Sequence, residues 1–489
     1  MRVCYYTNWS QYRPGHGRFV PENVDASLCT HIIYAFGKLV GNTITNFEWN
    51  DEQRYSEVMK LKETNPDLKV LLAMGGWNAG SLPFSKMCET LESRSEFIYS
   101  SIAWLRQHSF DGLDMDWEYP GRRGGNETLD MENFNRLLQE AYTVFEEEAA
   151  DTGREKLLLT AAVAAGQGNI DGVYDIPEIS RYLDFIAIMT YDFHGGSWLN
   201  ITGHNSPLYA NPTQYDPTFC MSWAAEYWVQ QGAPRDKLVI GLPTYGRTFD
   251  LKDPSNNGLG APSKGGGPTG PYTRESGFRS YYEICDLQKE GGITRWDNIS
   301  KVPYYTNDKT GMWIGFDNKE SIYYKMKDVV LKENEEFAGI MIWALDLDDF
   351  NATSCCQGTY PLIRYMDDLL KLAENGQPFP GPPDGTGCGS GGGDTGGESG
   401  GETGGESGGE TGGESGGETG GESGGETDGC DAASFCKTMG DMTYPNPTNC
   451  SMYYNCWGGG GMCDVCNDGL YFNDAIKGCD FKENVNCSA

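Results

Sequence analysis

The chain is poor in histidine, in positive charge and in long apolar runs, and each shortage excludes a class of function. Only 5 of its 489 residues are histidine, and no cysteine pair with zinc-finger spacing is followed by histidines, so we expect no metal and no cofactor. The 37 Lys and Arg residues face 70 Asp and Glu residues, which gives a net charge of −33. Nucleic acid and anionic membranes are therefore poor partners, and a neutral polymer is a better one.

No apolar run approaches the roughly eighteen residues that a membrane span requires. We also expect no secretory leader, because residues 2–6 already have the pattern of a strand; we interpret the chain as a mature form with an initiator Met. Cysteine, by contrast, is plentiful. Eight of the 16 cysteines lie from Cys430 onwards, in a segment dense enough to predict a disulfide scaffold in a secreted, extracellular protein.

Three segments of different composition predict the domain organisation 1–377, 378–429 and 430–489. Residues 378–383 are rich in proline, and from Gly396 to Thr427 the chain repeats Gly-Gly-Glu-(Ser/Thr) with a period of four. Collagen needs glycine at every third position, so a triple helix is excluded. The repeat contains no apolar residue to bury, which predicts a disordered linker.

The first segment alternates short apolar runs with longer amphipathic stretches, which predicts an α/β fold. Eight runs are strand candidates: 3–7, 31–36, 69–74, 112–116, 157–162, 185–189, 238–242 and 339–343. Helical patterns cover 93–108, 131–149 and 222–231. Eight strands separated by helices over about 370 residues favour a (β/α)8 TIM barrel. Residues of about 248–316 are rich in Gly, Pro and Tyr and carry no long helical pattern, and we expect them to form a small α+β insertion domain between the last two barrel strands.

The stretch Asp111-Gly-Leu-Asp-Met-Asp-Trp-Glu118 carries the strongest functional signal. Because side chains alternate along a strand, Asp114, Asp116 and Glu118 should share one face. Like charges in a partly dry interior raise one another's pKa, so one carboxyl should keep its proton near neutral pH, as a general acid must. Glu118 is the outermost of the three, at the end of a barrel strand where catalytic groups lie. An oxygen cage for a cation remains an alternative, and Asp111 is interpreted as positioning the start of the strand.

The pattern Asp111-x-x-Asp114-x-Asp116-x-Glu118 resembles the signature of the family 18 glycoside hydrolases, the chitinases, and the overall pattern is closest to the animal enzymes. Further strand ends resemble that family in order: 4–9, 28–36, 73–77, 189–192, 241–247 and 339–346. The resemblance implies retaining hydrolysis of chitin in which the substrate's own acetamide is the nucleophile. Family members that lack catalysis and act as chitin lectins typically replace the acid, whereas this chain keeps it.

The resemblance also implies residue roles. Glu118 would be the acid and base, Asp116 would orient the acetamide, Asp114 would share its proton or charge, and Tyr191 would bind the acetamide oxygen. The implied substrate-binding residues are Tyr5, Trp9, Trp77, Asn78, Tyr119, Met189, Asp192, Tyr245, Arg247 and Trp343, with Glu283 a weaker candidate. Arg247 could instead be a structural ion-pair partner, and core packing is preferred for Trp104, Trp117 and Trp223.

The tail resembles the peritrophin-A (family 14) chitin-binding module, a small disulfide-rich β domain. A segment this small cannot fold on apolar burial alone and needs its bridges. The resemblance implies Cys4–Cys29, Cys285–Cys355, Cys436–Cys456, Cys450–Cys487 and Cys466–Cys479. Candidates for sugar stacking, or equally for the small core, are Tyr453, Tyr454, Trp457 and Tyr471. The pairing of Cys88, Cys220, Cys356, Cys388, Cys430 and Cys463 is left open, with Cys88–Cys220 one possibility. The implied partners of the whole chain, expected to be a monomer, are chitin and chito-oligosaccharides.

Overall fold

The structure is a computed structural model that describes residues 1–213 and 216–383 and, in the tail, 435, 437, 443–447, 449–457, 460–466, 470–473, 478–482 and 485. The chain divides into two compact units, Met1–Gly392 and Gly393–Ala489, which are treated separately below. Most of the predicted linker lies outside the described residues.

The first unit contains fifteen described strands and ten described α-helices. The strands are β1 (Arg2–Thr7), β2 (His31–Val40), β3 (Thr43–Thr45), β4 (Lys69–Gly75), β5 (Gly112–Asp116), β6 (Leu158–Val163), β7 (Phe185–Ile188), β8 (Leu238–Pro243), β9 (Tyr245–Leu251), β10 (Ser263–Gly265), β11 (Phe278–Ser280), β12 (Ile293–Asp297), β13 (Val302–Asn307), β14 (Met312–Gly315) and β15 (Gly339–Trp343). The helices are α1 (Asp51–Met59), α2 (Leu82–Cys88), α3 (Leu91–Gln107), α4 (Asp130–Thr152), α5 (Gln167–Ile170), α6 (Ile176–Tyr182), α7 (Met221–Gln230), α8 (Tyr281–Glu290), α9 (Lys319–Lys325) and α10 (Pro361–Glu374).

Eight parallel strands close into a barrel. Their order is β1-β15-β8-β7-β6-β5-β4-β2, and β2 pairs back onto β1, with Val3 opposite His31. The predicted barrel is thus confirmed, because each apolar run forms one of these strands with bounds that shift by at most a few residues. Two cores follow from the closure. The inner one, with Val3, Ala187 and Met341, fills the barrel, and the outer one packs strands against helices.

The insertion lies between β8 and β15, as the predicted fold class requires. It is a six-stranded antiparallel sheet in the order β10-β9-β14-β13-β12, with β11 paired to β9, and α8 follows β11. The ten-residue helix α8 agrees with the predicted α+β composition of the insertion, although its position was not assigned from the sequence. Its apolar residues Tyr281, Ile284 and Cys285 are buried in the outer core, but the helix is too short for its periodicity to stand out.

Between described residues, the dispersed cysteines form the disulfides Cys4–Cys29 and Cys285–Cys355, the pairs that the resemblance implied. Cys88 and Cys220 are buried and free, so the possible bridge between them is wrong. Cys356 is also disulfide-bonded, and its partner lies outside the described residues. Among the described residues, no helix is both long enough and apolar enough to span a membrane.

The described part of the tail is β-structured. Strands β16 (Thr443–Pro445), β17 (Met452–Trp457) and β18 (Gly460–Val465) form an antiparallel sheet, and β19 (Leu470–Asn473) pairs with β20 (Gly478–Phe481). Cys450, Cys456 and Cys466 are disulfide-bonded, but each implied partner, Cys487, Cys436 or Cys479, has its side chain outside the described residues, as do Cys430 and Cys463. The small size of this module makes those bonds the main source of its stability.

Candidate active site

Strand β5 separates apolar from acidic side chains. Leu113 and Met115 are buried in the outer core, and Asp114 and Asp116 take the alternate positions, directed into the barrel. Asp114 accepts a 2.7 Å hydrogen bond from Tyr5 Oη and a 2.6 Å bond from Thr160 Oγ1. Burial raises the pKa of Asp114 to about 6, against the opposing effect of these two donors.

Asp116 is the least satisfied carboxyl of the strand. It is 2% exposed, and its Oδ1 atom has no hydrogen-bond partner among the described residues. Burial first, and then the charges of Glu118 and Asp114, raise the pKa of Asp116 well above its ordinary range. A buried carboxyl without a partner is costly, so this atom is available to a donor from a bound molecule.

Glu118 lies two residues beyond the end of β5 and is partly exposed. Burial raises the pKa of Glu118 to about 7; Arg123 lowers it, and Asp192 raises it. Because Glu118 and Asp116 interact, their protons belong to the pair. A carboxyl that titrates near neutral pH can donate a proton and accept one again, which is the requirement for acid and base catalysis.

Tyr191 and Asp192 follow β7, on the same end of the barrel. Tyr191 is 8% exposed, and its Oη atom lies 3.5 Å from Met341 Sδ. Met189, two residues earlier, packs against the inner core. Tyr245 Oη donates a 2.6 Å hydrogen bond to Asp192 Oδ1. Asp192 has a positive φ of 57°, a conformation that this network maintains.

Aromatic rings line the floor of the barrel mouth. The Trp343 ring lies 5.1 Å from the Tyr5 ring, 6.3 Å from the Trp9 ring and 6.1 Å from the Phe36 ring, centroid to centroid. Trp9 and Phe36 stack at 5.9 Å. The structure therefore brings the candidate residues Tyr5, Trp9 and Trp343 together. Phe36 was not a candidate, because it ends the apolar run 31–36 and resembles any core residue.

The loop after β4 carries Trp77 and Asn78, and both are exposed. Close packing against β5 explains the two glycines that precede them. A Cβ at Gly75 would lie 1.9 Å from the carbonyl oxygen of Asp116, and Gly75 has φ of +125°. Gly76 donates its N–H to the same carbonyl at 2.8 Å. The glycines thus let the Trp77 loop approach the carboxylate strand.

Two charged residues near the site, Arg123 and Glu275, were not among the candidates predicted from the sequence. The Arg123 guanidinium lies 3.6 Å from the centroid of the Trp77 ring, and Arg123 Nη1 donates a 3.1 Å bond to the Glu118 carbonyl oxygen. Glu275 Oε1 lies 3.4 Å from Arg247 Nη1. The guanidinium carbon of Arg247 lies 5.0 Å from the centroid of the Trp198 ring, and Trp198 is 48% exposed. A positive charge directly after an acidic motif was the signal that could have identified Arg123.

Other motif residues serve the scaffold. Asp111 accepts a 2.6 Å hydrogen bond from the Val70 N–H and forms an ion pair with Lys62, at the opposite end of β5 from Glu118. Trp117 is 1% exposed and donates to Ser81 Oγ at 2.6 Å, so its core assignment agrees with the structure.

Two further tryptophans and two cleft candidates also pack into the scaffold. Trp104 and Trp223 pack against the outer core, as predicted. Tyr119 is partly buried, and its carbonyl accepts a bond from Ser81. Glu283 is a correction: its carboxylate accepts hydrogen bonds from Tyr272 N, Thr273 N and Ser280 N within the insertion, so it is committed to the start of α8.

In the tail, Tyr454 is 5% exposed and stacks on Phe435 at 4.1 Å, which favours the core alternative over sugar stacking for this residue. Tyr453 stacks on the buried Phe472 at 4.7 Å and is partly exposed. Tyr471 is partly exposed, with Lys482 5.5 Å from its ring, and the Trp457 side chain lies outside the described residues.

The described residues contain no group of three or more His, Cys, Asp or Glu side chains arranged to hold a metal ion. The carboxyls of β5 instead bind Tyr5 and Thr160 or lie unpartnered, with raised pKa values. Asp114 is thus already engaged by two hydroxyl donors, which makes the alternative of an oxygen cage less favourable.

The acidic motif and the aromatic residues lie at the same end of the closed barrel, the end at which the sites of this fold are built. Residues 1–348 match the glycosyl hydrolases family 18, and residues 436–487 match the chitin binding peritrophin-A domain. The chain therefore belongs to glycosyl hydrolase family 18 and carries a C-terminal peritrophin-A module.

Among its relatives is chitotriosidase-1 of Mus musculus, 41% identical over 479 residues, which cover 98% of this chain and 94% of the mouse protein. An immunomodulatory active chitinase from Trichuris suis, TsES1, is 43% identical with a TM-score of 0.72 over 76% of this chain and 99% of that structure. Human YKL-39, described as a pseudo-chitinase with retained chitooligosaccharide binding properties, is 39% identical with a TM-score of 0.71 over 76% of this chain and 99% of that structure.

Proposed function

We propose that this chain is a secreted, extracellular, monomeric chitinase that hydrolyses β-1,4-linked N-acetylglucosamine polymers, with Glu118 as the acid and base. The observation that carries the proposal is the paired Asp116 and Glu118: both have raised pKa values, and Asp116 Oδ1 has no partner among the described residues. The mouse relative is named as a chitotriosidase, which supports the same substrate class.

The proposed reaction has two steps. In the first, Glu118 gives its proton to the glycosidic oxygen, the bond from that oxygen to the anomeric carbon breaks, and the substrate's acetamide oxygen bonds to that carbon. In the second, water attacks the anomeric carbon, Glu118 takes the water's proton, and the acetamide is released. Two displacements at one carbon retain its configuration, and family 18 is an exception to the use of a second carboxylate as nucleophile.

The neighbours of Glu118 suit this reaction. Asp116, with its free buried oxygen, would accept the acetamide N–H and stabilise the developing positive charge, and Asp114 would share that charge. Tyr191, whose hydroxyl has the weak acceptor Met341 Sδ as its hydrogen-bond partner in the described part of the chain, would donate to the acetamide oxygen. We propose that Trp343 forms the platform for the reacting sugar, because the apolar faces of pyranose rings pack on flat aromatic rings.

The remaining cleft residues would bind neighbouring sugars. Those proposed are Tyr5, Trp9, Phe36, Trp77, Asn78, Tyr119, Met189, Asp192, Trp198, Tyr245 and Arg247. The domain division 1–377, 378–429 and 430–489 is likewise a proposal, supported by the extents of the two family matches. A chitin-binding tail, with Tyr453, Trp457 and Tyr471 as candidates, would raise the local concentration of the barrel on an insoluble polymer.

The test compares wild type with Glu118→Gln on chromogenic chito-oligosaccharides and follows the new reducing end by proton NMR. We expect wild type to release the β-anomer first, and Glu118→Gln to lose at least 10²-fold in kcat because proton transfer contributes roughly that much. Glu127→Gln, on the exposed loop after the motif, is the matched control and should retain activity. Equal turnover by Glu118→Gln, or initial release of the α-anomer, would contradict the proposal.

A non-catalytic chitin-binding lectin is the second candidate, since the YKL-39 relative is described as a pseudo-chitinase that keeps oligosaccharide binding. That function predicts that wild type and Glu118→Gln bind a chito-oligosaccharide with similar affinity and that neither cleaves it. The retained, proton-holding Glu118 favours the enzyme.

A further inference from the structure

Arg123 connects two parts of the site that come from different strand ends. It lies in the loop after β5 and has a positive φ of 49°. The loop is anchored to Asp130, whose Oδ2 accepts the N–H groups of Gly121 at 2.9 Å and Asn126 at 2.7 Å, and whose Oδ1 accepts Ser85 Oγ at 2.7 Å. An uncommon backbone conformation held by a buried carboxylate presents the Arg123 side chain in a defined direction.

One contact of Arg123 is with Trp77. The guanidinium carbon is 3.6 Å from the ring centroid, which is the geometry of a cation–π stack. Trp77 is 59% exposed, and it belongs to neither of the two barrel cores. An exposed indole without core packing would otherwise sample several rotamers, so the stack restrains it and leaves one ring face for another partner.

The second contact is with the residue that carries the proton. Arg123 Nη1 donates to the main-chain oxygen of Glu118 at 3.1 Å, so a permanent positive charge lies against the residue that carries the carboxyl. That charge opposes the effect of burial on the pKa of Glu118. The neighbouring Arg122 points elsewhere: its Nη2 donates to the carbonyls of Gly168 at 3.3 Å and Asp171 at 3.4 Å.

We propose that Arg123 is a positioning residue that holds Trp77 in the orientation that binds a sugar and, through its charge beside Glu118, sets the pH at which Glu118 loses its catalytic proton. The inference rests on the proposed hydrolytic function. The other titratable groups that interact with Glu118, by charge or by a hydrogen bond, are Asp116, Asp192, Tyr119, Tyr174 and Tyr191. All of these are acidic groups, so Arg123 is the cation of the set.

The experiment measures kcat/KM from pH 4 to 9 for the full chain and for Arg123→Gln, Arg123→Lys and Arg122→Gln. Loss of the charge in Arg123→Gln should move the alkaline limb of the kcat/KM profile to higher pH by about 0.5 to 1 unit. The shift is smaller than for a buried charge pair because the arginine is exposed and its charge is screened by solvent and salt. Arg123→Lys keeps the charge and should keep the wild-type limb. Arg122→Gln removes an equal charge on the same loop and should change neither the limb nor KM.

The stack is tested by binding. In calorimetric titrations with N-acetylglucosamine tetramer, carried out in the Glu118→Gln background so that the ligand is not cleaved, Arg123→Gln should weaken binding by roughly 3- to 10-fold, the range expected for a cation–π restraint. The same substitution in a Trp77→Ala background should have no further effect, because the restrained ring is gone. Arg123→Lys should lie between wild type and Arg123→Gln.

An unmoved limb in Arg123→Gln, or an equal shift in Arg122→Gln, would overturn the inference, as would additive losses in the Trp77→Ala background. A purely structural role would lower the melting temperature and the rate without moving the limb. Wild-type inactivity would refute the proposed function instead; carbon-13 NMR titration of the Glu118 carboxyl in Arg123→Gln and Arg122→Gln would then still test the effect of the charge.

Discussion

The Arg247 guanidinium binds the Asp192 carboxylate in a two-point ion pair, with distances of 2.7 Å from Nε to Oδ1 and 2.7 Å from Nη2 to Oδ2. Parallel N–H to oxygen bonds of this kind fix orientation as well as charge. The pair decides how much negative charge Asp192 presents to Glu118, whose pKa Asp192 raises. Arg247 thus has both a structural and an electrostatic effect at the site. Its roles as an ion-pair partner and as a cleft residue are therefore compatible.

Replacing Arg247 by Met should destabilise the fold and leave Asp192 unneutralised. Because the Asp192 side chain is 37% exposed, we expect a loss of only about 1–2 kcal/mol in the free energy of unfolding, below the value for a fully buried pair. The alkaline limb of kcat/KM should also move upward. Adding Asp192→Asn should restore part of the stability, measured by urea unfolding; a double variant less stable than Arg247→Met would contradict the argument.

Gly75→Ala should be among the most damaging single-methyl changes in the barrel. The new Cβ would meet the Asp116 carbonyl at 1.9 Å, and φ at this position is +125°, so both the backbone and β5 must shift. We expect a loss of at least about 3 kcal/mol in stability and a fall in kcat from the displacement of Asp116. Gly41→Ala is the control: its φ is +59° and nothing lies within 4 Å of the new methyl, so about 1 kcal/mol is expected. Similar melting temperatures for the two variants would contradict the steric argument.

The two free thiols should be silent in the native protein. Cys88 and Cys220 are 0% and 3% exposed, and burial raises the pKa of Cys88 well above its usual range. A buried neutral thiol is a poor nucleophile, so a thiol reagent should react with neither until the barrel is unfolded. Mass spectrometry after alkylation should then find both labelled in guanidinium chloride and unlabelled in buffer. A crosslinked Cys88–Cys220 peptide would refute the assignment.

Much of the barrel could be predicted from the sequence because most of its strands are apolar runs buried on both faces, as in β4. The position of helix α8 and the early start of the insertion at Tyr245 could not be predicted, since the burial of both depends on partners far along the chain. The site divides in the same way. Alternation predicted Asp114 and Asp116, but the Arg123–Trp77 stack joins two loops whose spacing in the sequence carries no signal of contact.

The raised pKa of Glu118 predicts that stability depends on pH and that Glu118→Gln alters that dependence. In the folded protein this pKa is about 7, above its ordinary value of 4.5, so the folded state binds the proton more tightly than the unfolded state. The contribution of Glu118 to stability should therefore be greatest below about pH 4.5, fall between about pH 4.5 and pH 7, and stay level above that range. Glutamine has the shape of the protonated form, so Glu118→Gln should match wild type at pH 4.

At pH 8 Glu118→Gln should exceed wild type by about 1–3 kcal/mol, since the variant no longer buries a charge and the group is partly exposed. Melting temperatures at both pH values measure the difference, with Glu127→Gln as the exposed control that should show none. An equal offset between Glu118→Gln and wild type at pH 4 and pH 8 would mean that packing, not ionisation, is responsible. A larger stability of wild type at pH 8 would mean that the carboxylate is stabilised by its surroundings, which the acid role cannot accommodate.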